Sequence, residues 1–192
     1  MNATWVGIGG VQSHDLIQAG TQQQASGDAD TLYSAWLETL PQPSQPVPLV
    51  VHAGDSVTVS LAEQGQGAWQ VSMTNTTTGQ AWQTAVQYDS SNSSAEWIEE
   101  APSAGRGGIL PLDNFGTIDF SNAGAVSGAQ NENLSQTGAR PIELDDTSGQ
   151  ALLTTGAVGG DGSSFSVTRT SISDNQPTGR RTSPRSQGEY DR

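Results

Sequence analysis

The segment Ala95-Glu96-Trp97-Ile98-Glu99-Glu100 carries three carboxyl groups within six residues. Read as a strand, its period of two sets Glu96, Ile98 and Glu100 on one face and Trp97 with Glu99 on the other. Glu96 and Glu100 then have Cα atoms ~13 Å apart at ~3.3 Å per residue. Long side chains can lean together over that span, so the spacing leaves a glycosidase-like carboxyl pair open. A glutamate of ordinary pKa, ~4.3, suits general base work in mild acid. Other chemistries find little support. The chain contains no cysteine, which removes disulfides, thiolate nucleophiles and Cys-ligated metal. His14 and His52 stand alone, without ligand spacing to each other. Gly159-Gly160-Asp161-Gly162 lacks the alternating carboxylates and terminal glutamate of a calcium loop and reads as a turn. Neither metal nor cofactor is expected.

The elements that must position these groups are strands. Val57, Val59 and Leu61 alternate with Ser56, Thr58 and Ser60, and Trp69, Val71 and Met73 repeat the pattern. A turn-rich break, Thr74 to Gln80, leads into Trp82, Thr84 and Val86, so these runs predict a hairpin with one buried face. Further strands are expected at Ala95–Glu100, Thr117–Phe120, Pro141–Leu144 and Ser164–Thr170, with a loop at Gly105–Gly108 and a turn from Gly156 to Ser164. No segment sustains a helical apolar period. Many short strands separated by turn signals predict an all-β fold, an antiparallel β-sandwich of two packed sheets or a jelly roll. The sandwich is expected over residues 1–172. The polar stretch 173–192 has no apolar spacing and reads as a disordered tail.

A length of 192 residues suits one domain with a real core, although only 33% of them are hydrophobic. The formal net charge is −13, and all seven basic residues are arginines. Four of these, Arg180, Arg181, Arg185 and Arg192, lie in the last twenty residues. Such a surface argues against nucleic acid as a partner. It also suits acid, because a body with few cations gains little positive charge when its carboxylates neutralise. No stretch reaches the roughly 18 apolar residues of a membrane span. Met1 is followed at once by strand-like sequence, so no secretory signal peptide is visible.

Three segments in order resemble the eqolisin family of glutamic peptidases. They are Thr4-Trp5-Val6-Gly7-Ile8-Gly9-Gly10 with Leu16-Ile17-Gln18-Ala19-Gly20-Thr21, then Tyr33-Ser34-Ala35-Trp36-Leu37-Glu38-Thr39-Leu40-Pro41, then Ser94-Ala95-Glu96-Trp97-Ile98-Glu99-Glu100-Ala101-Pro102. Ala53-Gly54-Asp55-Ser56 and Asn75–Gln80, between the last two, are similar as well. The resemblance runs from about Trp5 to Thr170; each motif is weak alone, and the ordered set is specific. It implies a concanavalin A-like sandwich and a secreted, monomeric endopeptidase acting on polypeptides in acid without cofactor. By the same resemblance Gln18 and Glu96 are the catalytic pair, and Trp5, Trp36 and Glu38 line the substrate groove. Aspartates that line the family's groove are replaced here by Gly9, Gln22 and Ser34. Family members also carry a further strand ahead of the Trp-Val-Gly segment.

The chemistry agrees with those roles. A glutamine amide does not titrate, so it can donate to an oxyanion at any pH while a glutamate activates water. Glu100 is the reserve for Glu96, since Glu99 belongs to the opposite face. Jelly-roll glucanases place an aspartate between their two glutamates, and Ile98 fills that place here, which favours the peptidase. The alternative from another class is a catalytically silent sandwich that binds carbohydrate or protein. Asn2, Asn75, Asn92 and Asn133 sit in glycosylation sequons, which carry meaning only in a glycosylating host.

Overall fold

Alternating apolar residues build two sheets that close on one core. The computed structural model describes residues 1–26, 29–105, 108–146, 148–170 and 180–181. The sequence reading takes 1–172 as one domain; within the chain two compact units form, Met1–Glu100 and Ala101–Arg192. The first contains β1 (Asn2–Gly9), β2 (Leu16–Ser26), β3 (Ala29–Thr39), β4 (Gln45–Val47), β5 (Val57–Gly65), β6 (Ala68–Asn75), β7 (Gln80–Gln87) and β8 (Ala95–Glu100). A five-stranded antiparallel sheet has the order β4-β3-β2-β1-β8, and a three-stranded sheet the order β5-β6-β7.

Period two decides which side chains meet. Ile17 and Ala19 of β2, with Ala35 and Leu37 of β3, face Trp69, Val71 and Met73 of β6. Ile17, Val71 and Met73 are fully buried, each worth about 1.5–3 kcal/mol of transfer free energy. Val57, Val59, Leu61, Trp82 and Val86 flank this core as the alternation requires. The expected hairpin is present: β6 and β7 pair from Asn75↔Gln80 to Ala68↔Gln87. Its turn is organised by Asn75, which is fully buried. Asn75 donates to the Val50 carbonyl at 3.0 Å and to Asp55 at 2.7 Å, and it accepts from the amides of Thr77 and Thr78 at 3.1 Å. Burial removes Asn75 and Asn2 from use as glycan acceptors.

The second unit contains β9 (Ser103–Gly105), β10 (Gly108–Ile109), β11 (Thr117–Phe120), β12 (Gly124–Ser127), β13 (Gln130–Asn133), α1 (Leu134–Thr137), β14 (Leu144–Asp145), β15 (Leu153–Thr155), β16 (Phe165–Arg169) and β17 (Arg180–Arg181). Its core gathers Ala101, Leu144, Leu152, Leu153 and Val167, with Phe120 and Phe165 stacked at 4.5 Å. The strand expected at Pro141–Leu144 is confined to Leu144–Asp145; of the loop expected at Gly105–Gly108, Gly105 and Gly108 pair at the ends of β9 and β10, and residues 106–107 lie outside the described residues. The short helix has a capping box from Asn133 and Gln136 and ends on Gly138 in the left-handed region. The turn expected around Asp161 is present, its carboxylate accepting from the amides of Ser163 and Ser164. The polar tail expected at 173–192 lies outside the described residues, apart from Arg180–Arg181, which pair with β14.

Candidate active site

The face of the five-stranded sheet opposite the main core displays side chains in rows, because directly paired residues point the same way. One row runs Glu38, Gln18, Gly7, Glu96 across β3, β2, β1 and β8. The next runs Trp36, Gly20, Trp5, Ile98. All five residues singled out in the sequence therefore stand in two adjacent rows of one sheet face. Glu100 lies in another row, with Ala3, Gln22 and Ser34, away from Gln18. Glu99 projects to the opposite face, as period two requires.

Gln18 and Glu96 are both buried, at 6% and 7% exposure. Two strand spacings of ~4.8 Å separate their backbones, and the residue between them, Gly7, has no side chain. A Cβ placed on Gly7 would lie 3.3 Å from Glu96 Oε2, 2.7 Å from the Trp5 ring and 3.0 Å from Leu16. Only glycine fits there, because the Trp5 ring, Leu16 and Glu96 Oε2 close directly over it. The other carboxylate oxygen, Oε1, accepts from the Ser94 hydroxyl at 2.7 Å. On the other side of Gly7, Gln18 Nε2 donates to Glu38 Oε2. An ionised carboxylate only accepts, so Glu38 fixes which end of the amide is the NH2 group. That group carries two N–H bonds, and Glu38 takes one of them.

The two tryptophans expected to line the groove stand on this same face, largely buried. Trp5 is 3% exposed and Trp36 7%, and they form a small cluster with Ala3 and Leu16, flanked by Leu40 and Ile98. Gly20 separates them in their row. A Cβ there would come within 2.1 Å of the Thr4 carbonyl oxygen, so only glycine lets β1 and β2 close beneath the two indoles. Two polar atoms on this face, Gln18 Oε1 and Trp36 Nε1, are buried without a hydrogen-bond partner among the described residues. Each such atom costs about 1–3 kcal/mol, and unmet polar groups of this kind concentrate where a protein has work to do.

The loop ahead of β8 is anchored from below. Asp15 accepts from the Ser91 amide at 2.7 Å and from the hydroxyls of Ser90 and Ser91 at 3.1 Å, and hydrogen bonding from Ser13 above all, then from Ser91 and Ser90, holds its carboxyl well below the usual range. The space beside it is where a side chain on Gly9 would go: Gly9 has φ +87, and a Cβ would stand 2.8 Å from Asp15 Oδ2. Tyr88 accepts from the Leu16 amide and donates to the Leu40 carbonyl, tying the same loop to β2 and to the end of β3. Among the described residues no cluster of three or more metal-ligating side chains occurs.

Residues 1–169 match the Peptidase A4 family. The chain belongs to that family. Aspergillopepsin-2 of Aspergillus niger is 29% identical over 164 residues, which is 83% of this chain and 56% of that protein. The chain therefore spans little more than half the length of this curated relative. The crystal structure of aspergilloglutamic peptidase from Aspergillus niger superposes with a TM-score of 0.78 at 27% identity, over 88% of this chain and 98% of that one. Scytalido-glutamic peptidase in complex with a peptide-based transition-state analogue shares the fold, with a TM-score of 0.68 at 20% identity, over 88% of this chain and 83% of that one. The all-β sandwich read from the sequence is the fold of these structures.

Gly7 and Ser94 were quoted in the sequence only as parts of longer motifs, and their places in the site come from strand register. Period two indicated the shared face of Glu96 and Glu100, but only the pairing of β1 with both neighbours selects Glu96 as the carboxyl in line with Gln18.

Proposed function

We propose that this chain is an acid endopeptidase that hydrolyses polypeptides by direct attack of water, with Glu96 and Gln18 as its catalytic pair. The observation that carries this reading is the row Gln18-Gly7-Glu96, a carboxylate and an amide on one sheet face with only a glycine between them. Family membership and the peptidase names of its relatives support the reaction class. In this scheme a water molecule beside Glu96 loses a proton to it and attacks the carbonyl carbon of the scissile peptide. The oxyanion accepts from the Gln18 amide. The tetrahedral intermediate collapses as the C–N bond breaks, and Glu96 returns its proton to the leaving nitrogen. The products are one new carboxyl terminus and one new amine, with no cofactor consumed.

Glu38 belongs to this machinery by orienting Gln18, whereas Trp5 and Trp36 form the wall and floor against which an extended substrate lies. A monomer secreted into an acidic medium fits the charge balance, in which three arginines outside the last twenty residues leave little cationic repulsion at low pH.

The test is digestion of an unfolded protein such as casein across pH 2 to 8, with Glu96→Gln and Gln18→Ala as comparators. Cleavage is expected to peak in acid, to vanish in Glu96→Gln, and to fall on the order of 10²–10³-fold in Gln18→Ala. Maximal cleavage at neutral pH by folded protein, or full activity in Glu96→Gln, refutes the mechanism. A folded wild-type protein that cleaves nothing points instead to a binding sandwich.

A further inference from the structure

We propose that Ser94 is a positioning residue for Glu96: its hydroxyl engages Oε1 and so fixes how the carboxylate stands beside Gly7, in line with Gln18. The inference rests on the catalytic reading above and assigns a role to a residue outside the expected pair. Ser94 immediately precedes β8, two residues from Glu96, and its hydroxyl donates to Oε1 at 2.7 Å. Its own placement is fixed from β1. The Gly9 amide donates to the Ser94 carbonyl at 2.9 Å, and the Val11 amide reaches the Ser94 hydroxyl at 3.4 Å. A serine hydroxyl has one proton to give. With Val11 supplying a proton to that oxygen, the single O–H is aimed at Glu96.

The neighbouring hydroxyls extend the support. The Ser91 hydroxyl donates to Asp15 at 3.1 Å and lies 3.0 Å from the Ser93 hydroxyl, and the Ser13 and Ser93 hydroxyls lie 3.3 Å apart. Asp15 therefore anchors the loop that delivers Ser94, and it does so from the residue just ahead of β2, the strand that carries Gln18. The two halves of the pair are thus referenced to one another through a short hydroxyl network as well as through β1.

The consequence for catalysis follows from the asymmetry imposed on the carboxylate. Ser94 engages Oε1, and Oε2, which lies over Gly7, takes the proton from water in this scheme. A donated hydrogen bond is stronger to the ionised than to the protonated carboxyl. Ser94 therefore helps keep Glu96 a base in the acid where the enzyme is expected to operate. The other carboxyls on this sheet face, Glu38 at the far end of the row and Glu100 further along β8, are untouched by substitution at position 94.

The experiment is the pH dependence of kcat and KM on a soluble peptide for wild type, Ser94→Ala and Ser94→Thr, with thermal unfolding recorded for each. In Ser94→Ala, kcat is expected to fall about 10-fold with KM little changed, the effect of losing one hydrogen bond to a charged group. The acid limb of kcat/KM should move to higher pH. Ser94→Thr keeps the hydroxyl and should restore both. A Ser94→Ala protein with the wild-type kcat and acid limb overturns the proposal, and so does a Thr variant as impaired as the Ala variant. Wild-type protein that does not cleave overturns the catalytic reading itself, which separates the two failures.

Discussion

Glu99 offers a sharp test of how this fold is tuned to acid. It projects to the sheet face opposite Gln18 and Glu96, is 6% exposed, and accepts from Asn2 at 2.6 Å and from the Thr4 hydroxyl. Burial pushes its carboxyl up from 4.5 to about 7, outweighing the hydrogen bonds from Thr4 and Asn2, with the Glu100 charge adding to the rise. A carboxyl raised on folding stabilises the protein only while it keeps its proton. Below about pH 4.5 both folded and unfolded chains are protonated and no stability is lost. Between about 4.5 and 7 the unfolded chain gives up its proton first, so stability falls as pH rises. Above about 7 both are ionised and the loss levels off. At ~1.36 kcal/mol per pH unit, a shift of roughly 2.5 units corresponds to about 3 kcal/mol. Glu99→Gln keeps the shape and can bond to both Asn2 and Thr4 while removing the titration. Urea unfolding followed by tryptophan fluorescence at pH 4.5 and 7.5 should show the wild type losing about 3 kcal/mol more than the variant across that interval. Asp15, Asp55, Asp146 and Asp161 have lowered values. Their contributions are lost only as pH falls below the usual aspartate range, outside the interval used. Identical pH dependence in the two proteins would refute the reasoning.

Three further outcomes are expected. Gly20→Ala should destabilise the fold by about 3 kcal/mol or more, since the new methyl meets the Thr4 carbonyl oxygen at 2.1 Å and backbone has to move; urea midpoints check this. Asn75→Ala removes four hydrogen bonds at a fully buried position and should cost about 3 kcal/mol, while cleavage per folded molecule below the melting transition stays unchanged. Glu38→Ala frees the Gln18 amide and should lower kcat/KM about 10-fold without altering the unfolding midpoint by more than about 1 kcal/mol, read from steady-state kinetics and thermal melts.

What the sequence made legible was set by periodicity. Val57-Val59-Leu61, Trp69-Val71-Met73 and Trp82-Thr84-Val86 alternate cleanly because one face of each strand is buried, and those strands formed where expected. β2 and β3 were harder to see. Gln18, Gly20 and Gln22 occupy the face that carries the site, so polar and small residues stand where alternation would show apolar ones. The helix at Leu134–Thr137 spans a single turn, too short for any apolar period; its signal was the Asn133–Gln136 capping pair. The two tryptophans were given to the groove by resemblance; both are buried more than nine-tenths, on the face that carries Gln18 and Glu96. Which carboxyl faces Gln18 depended on register between three strands, which no single segment encodes.

β1 is hydrogen-bonded along both edges, from Asn2↔Gln23 to Gly9↔Leu16 on one side and from Ala3↔Glu100 to Ile8↔Ala95 on the other. The span between Gln18 and Glu96 is therefore two rungs of a continuous ladder rather than the distance between two loops. No hinge lies within it, but β8 is the edge strand of the sheet, so the span between the proposed pair opens when β8 peels from β1. Heat inactivation of this molecule should accordingly track the loss of the β1–β8 pairing rather than the movement of any loop.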